Sequence, residues 1–123
     1  MPSYILSIVG AVPERELSLP APPVELARRL AQATGLPTTT LDAIAARADQ
    51  DGDRTVFDTR LVVELTAELK ALDTALEARL DAEGFLKGAP RGPNHFNLRQ
   101  RMRAALKLLE LAAQSNSAAE VQA

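Results

Sequence analysis

Six basic residues and no acid fall between Gly84 and Leu109 (Lys87, Arg91, Arg99, Arg101, Arg103 and Lys107), while the rest of the chain holds eight bases against sixteen acids. Cations sorted this way are the chemistry of a phosphate-binding surface or of a surface for an acidic partner. The window directly follows an acidic stretch in which Asp58, Glu64, Glu68, Asp73, Glu77, Asp81 and Glu83 outnumber Arg60, Lys70 and Arg79. Two arms of a helical hairpin attracting each other would therefore explain the same sorting, and both explanations stay open. Exposed charge pairs stabilise by only about 0–1 kcal/mol each, so pairing alone gives little reason for the segregation.

Other candidate chemistry is sparse. Asp49, Asp51 and Asp53 alternate like the start of a calcium loop, but the sixth position holds Arg54 where Gly is required and the twelfth holds Arg60 where a bidentate Glu is required. A solvated acidic loop is expected there. His95, the only histidine, stands in a Pro-Asn-His-Phe-Asn turn, where capping or simple exposure is expected. No base partners a nucleophile, no Gly-rich phosphate loop precedes a helix, and no ligand-spaced His/Asp/Glu cluster occurs. The sequence thus predicts no catalytic residue, no metal site, no cofactor and no enzyme activity.

The elements that would position the basic window follow from composition and periodicity. A chain of 123 residues, 46% apolar and 24% charged, suits one globular domain. Aromatics make up only 3%, so Leu, Ala and Val dominate the apolar content and favour helices packed through aliphatic seams. The predicted class is all-α. The absence of Cys excludes disulfides and thiolate sites and fits a reducing compartment. The apolar run Tyr4 to Val12 has no basic residue before it and is too short to span a bilayer, which predicts a cytoplasmic protein without membrane contact.

Residues 1–23 read as an extended arm: Tyr4, Ile5, Leu6, Ile8 and Val9 favour a strand, and Pro13, Pro20, Pro22 and Pro23 forbid a helix through residues 13–23. Without a hairpin partner, the arm is expected to pack as an apolar strap, with strand addition to something outside the subunit as the alternative. The helical domain spans 24–114. Its first helix, 24–34, turns Val24, Ala27, Leu30 and Ala31 inward and stops at Gly35; the second, 39–49, carries Leu41, Ile44, Ala45 and Ala48 and is capped by a Thr of the run Thr38 to Thr40. This pair has the small and apolar residues of a helix-turn-helix, with Thr38, Thr39 and Arg47 available to DNA. Asp42 opposes phosphates, however, and no Arg, Asn or Gln opens the second helix, so a plain helical pair is the preferred expectation.

A long helix over 58–83 is capped by Asp58 and ended by Gly84, with Val62, Leu65, Leu69, Leu72 and Leu76 at heptad-like spacing. After a Gly/Pro turn, Leu98, Met102, Ala105, Leu109 and Ala112 repeat the spacing over 95–113, and the two helices predict an antiparallel αα-hairpin. Leu106, Leu108 and Leu111 lie partly off that stripe. They are explained equally by contact with the short helices and by self-association. Residues 115–123 lose periodicity and are expected to fray.

The order of these parts, from about Pro22 to Ala113, resembles small subunits of tailed-phage terminases. The segments carrying the resemblance are Thr55-Val56-Phe57-Asp58-Thr59-Arg60-Leu61 entering the long helix, Leu80-Asp81-Ala82-Glu83-Gly84-Phe85-Leu86 at its end, and Gly92-Pro93-Asn94-His95-Phe96-Asn97-Leu98 opening the next. The resemblance implies a non-catalytic DNA-packaging adaptor that forms a homo-oligomer, binds double-stranded DNA and regulates a large-subunit ATPase and nuclease in a bacterial host cytoplasm. Under it, Arg91, Arg99, Arg101, Arg103, Lys107, Thr38, Thr39 and Arg47 would meet DNA, and Leu106, Leu108 and Leu111 would join subunits. The alternatives are a helix-turn-helix transcriptional regulator and a small phage- or plasmid-encoded adaptor or inhibitor that binds a protein.

Overall fold

Among the described residues nine elements follow one another: β1 (Tyr4–Ile8), β2 (Glu16–Leu19), α1 (Pro23–Ala33), α2 (Thr39–Arg47), β3 (Asp49–Asp51), β4 (Arg54–Phe57), α3 (Thr59–Glu77), α4 (Pro93–Gln114) and β5 (Ala119–Gln122). The structure, a computed structural model, describes residues 3–10, 15–80 and 93–123, with side chains from residue 97 onward in the last stretch. The five strands make one antiparallel sheet in the order β2-β1-β5-β4-β3. The protein is therefore α+β, and the all-α expectation is corrected.

Three segments carry the correction. The arm expected as a strap is an interior strand: β1 pairs with β2 on one side and β5 on the other, all within the subunit. The tail expected to fray supplies β5, the middle strand, which pairs with both β1 and β4. The expected acidic loop is the β3–β4 hairpin, closed by a two-residue turn at Gly52 and Asp53. Gly52 has φ of +60° while Asp53 stays out of the positive region, the backbone of a type II′ turn.

Local chemistry sets the helix ends. Pro23 occupies the first helical position of α1, where its missing N–H costs nothing. At the other end the Leu36 N–H donates to the Ala31 carbonyl (2.8 Å) and the Gly35 N–H to that of Gln32 (3.3 Å), with Gly35 at φ +72°. That is a Schellman stop, and it needs the left-handed backbone that Gly adopts cheaply. α4 ends the same way: the Ser117 N–H donates to Ala112 (2.8 Å) and the Asn116 N–H to Ala113 (3.2 Å), with Asn116 at φ +57°. This stop turns the chain back into β5.

Asp58 caps α3 by accepting the Leu61 N–H at 2.8 Å. The helix ends at Glu77, short of the expected Gly84, because the Arg79 and Leu80 N–H groups donate to the carbonyls of Leu76 and Glu77, three residues back, and tighten the last turn. Residues 81–92, with Gly84, Lys87 and Arg91, lie outside the described residues.

The core joins the sheet to the helices. Along each strand the side chains alternate, and Leu6, Ile8, Leu19, Phe57, Ala119 and Val121 are buried on one face. Against them lie the α3 seam (Val62, Leu65, Leu69, Leu72, Leu76) and the α4 seam (Met102, Ala105, Leu109, Ala112). α4 packs on α3, on α1 and on β1 and β2, so several elements share its apolar surface. Truncating one of these leucines to Ala is expected to cost about 2–5 kcal/mol.

Candidate interaction surfaces

Of the basic residues expected to meet DNA, Arg99, Arg103 and Arg47 are engaged within the protein. Arg99 of α4 is only 14% exposed and reaches across the hairpin, its Nε donating to Asp73 Oδ1 at 3.0 Å and a terminal nitrogen to Glu77 Oε2 at 2.5 Å. Arg103 lies 3.6 Å from the other oxygen of Asp73. On α2, Arg47 forms a two-point pair with Glu64 of α3. The Thr38 hydroxyl, which the sequence offered as a cap, donates instead to Asp42 Oδ2 at 3.1 Å. Thr39 is exposed at the start of α2, Arg101 and Lys107 are exposed on α4, and Arg91 lies outside the described residues.

These pairs are structural cross-links. Arg28 of α1 donates to Asp42 of α2 at 2.9 Å and to Glu25 at 2.6 Å, holding the two short helices together. The hydrogen bond from Arg28, then that from Thr38, holds the Asp42 carboxyl below its ordinary range, and the bond to Asp42 raises the Arg28 guanidinium. The bond from Arg47 likewise lowers Glu64, while Arg47 is raised. The strand after α2 and its turn add Asp49, Asp51 and Asp53, all exposed.

The oligomer candidates separate. Leu106 is buried in the core, Leu108 is half-buried, and Leu111 is 39% exposed. Around the exposed arc of α4, Arg101, Arg103 and Lys107 flank Ala104, Leu108 and Leu111, with half-buried Glu110 at one margin. His95 lies on the first turn of α4, and its side chain is outside the described residues.

Sequence reasoning missed a second surface altogether. The face of the sheet turned away from the helices carries two rows fixed by the strand register: Ser18, Ile5, Gln122, Arg54 and Asp51 in one, Glu16, Ser7, Glu120, Val56 and Asp49 in the other. Ile5 is 42% exposed, and Val9, on the same side two residues beyond Ser7, is 45% exposed. Four carboxylates meet one guanidinium, Arg54, which pairs with Glu120 at 3.3 Å. The alternation Ala119-Glu120-Val121-Gln122 was the available signal.

Among the described residues no group of three or more His, Asp or Glu side chains is placed to hold a metal ion, and no helix is long and apolar enough to cross a membrane. The fold and these surfaces define an α+β domain whose accessible chemistry is two charged faces of opposite sign. No protein-family model matches the chain, and neither a curated protein nor a solved structure does.

Proposed function

We propose that this protein is a non-catalytic adaptor that works by presenting a surface to another protein. One observation carries this: the sheet is covered by helices on one side, while its other side holds Ile5 and Val9 exposed among carboxylates. Exposed β-branched side chains on an uncovered, charged sheet face are the material of a docking surface. The α3–α4 hairpin supports the packaging-adaptor alternative, but Arg99 and Arg47, two of its DNA contacts, are spent on Asp73, Glu77 and Glu64. The adaptor is preferred for that reason.

The test is whether the exposed apolar residues serve the fold. Thr keeps the β-branched shape and strand preference while removing apolar surface. Ile5→Thr with Val9→Thr is expected to change the unfolding free energy by no more than about 0.5 kcal/mol. A loss above about 1.5 kcal/mol would assign these side chains to the core instead and contradict the docking role.

A further inference from the structure

We infer that the occupant of the open sheet face is the α4 face of a second copy of this chain, joined head to tail. This rests on the adaptor function above, and charge selects the partner. Among the described residues, the sheet face carries Glu16, Glu120, Asp49 and Asp51 together with Ile5, Val9 and Val56, with Arg54 its one cation. The α4 face sets Arg101, Arg103 and Lys107 around Ala104, Leu108 and Leu111, with Glu110 its one acid among the same residues. Each surface exposes apolar side chains beside its charges, and the charges of the two are of opposite sign.

Two sheet faces stacked together would bring carboxylates against carboxylates, and two α4 faces would bring cations together. Both symmetric pairings meet like-charge repulsion. The heterologous pairing satisfies both surfaces and leaves one of each unused at the ends, so it propagates. It also gives a partner to Arg101 and Lys107, which the ion pairs within the hairpin, those of Arg99 and Arg103, leave unused among the described residues.

The contact is small. Five strands about 4.8 Å apart and five residues at about 3.3 Å each give a footprint of about 20 Å by 15 Å. That is a few hundred Å² per partner against about 800 Å² for a standard stable interface, so a weak, salt-sensitive association is expected.

The experiment uses the full chain in sedimentation velocity. At about 200 µM and low ionic strength the wild type is expected to sediment as species larger than a monomer that dissociate in about 0.5 M salt. Two variants then separate the faces: Arg101→Ser with Lys107→Ser spoils α4, and Ile5→Lys with Val9→Lys spoils the sheet. Circular dichroism melts confirm that both fold. Each alone is expected to be monomeric, and their equimolar mixture to form a dimer and nothing larger, because one intact face of each kind is left. A wild-type monomer at that concentration, or a mixture that stays monomeric, overturns head-to-tail assembly. If Ile5→Thr with Val9→Thr is as stable as wild type while assembly is absent, the adaptor function stands and only this occupant falls.

Discussion

Replacing Arg99 by Met separates structural from nucleic-acid use of the basic window, because Met keeps the aliphatic bulk and removes the guanidinium. Arg99 bridges Asp73, itself 20% exposed, and Glu77, which is 69% exposed. The Glu77 contact is well solvated and is worth about 0–1 kcal/mol. The Asp73 bond is charge-assisted and partly screened from water, where the upper range is about 1.5–3 kcal/mol. Arg103, at 3.6 Å from Asp73, compensates in part. The expected loss is therefore about 1–2 kcal/mol, or roughly 4–8 °C in melting temperature for a domain of this size. Urea denaturation reads it as a lower midpoint at unchanged slope. Arg101→Met, with no ion pair among the described residues, is expected to stay within about 0.5 kcal/mol. Equal effects at the two positions, or an Arg99→Met variant as stable as wild type, would refute the assignment. A cycle with Asp73→Ala isolates the coupling between the two side chains.

Deleting residues 117–123 removes β5 from the middle of the sheet, with its two ladders and the buried Ala119 and Val121. That loss rivals a total stability of about 5–15 kcal/mol, so the truncated chain is expected to lack cooperative unfolding in calorimetry; a wild-type melt would contradict the strand order. Asp42 and Glu64 are lowered in the folded protein, so their contribution is present above the ordinary carboxylate range and is lost as pH falls through the lowered values. Glu64→Gln is accordingly expected to melt lower than wild type at pH 7, with the difference closing in acid; a difference that grows as pH falls would contradict the pairing.

The helices were legible because their signals are local. The leucine spacing from Val62 to Leu76, the Asp58 cap and the Gly35 stop each lie within a few residues of the helix end or face they specify. The sheet was hidden because β1 and β5 stand at opposite ends of the chain, and a strand whose partners are distant gives no periodicity beyond its own few residues. The Asp-Gly-Asp of the β3–β4 turn has the alternation of metal ligands, although Gly-Asp between two short runs also marks a hairpin with Gly at the first central position. In the basic window the sequence allowed pairing within the hairpin but could not pick the partners: the fold brings Arg99 to Asp73 and Glu77 and leaves Arg101 and Lys107 in solvent.

Titration of a labelled DNA duplex with the wild-type protein at low salt tests the adaptor account most directly. With Arg47 and Arg99 engaged in ion pairs, Arg103 beside Asp73 and Asp49, Asp51 and Asp53 exposed beyond α2, Arg101 and Lys107 are too few to hold a duplex, and no saturable binding is expected up to about 100 µM at salt where phosphate contacts are strongest. Saturable binding that weakens steeply with salt, with a slope that falls by roughly 0.9 per cation when Arg101 and Lys107 are replaced by Ala, would contradict the account and return α4 to the nucleic-acid role.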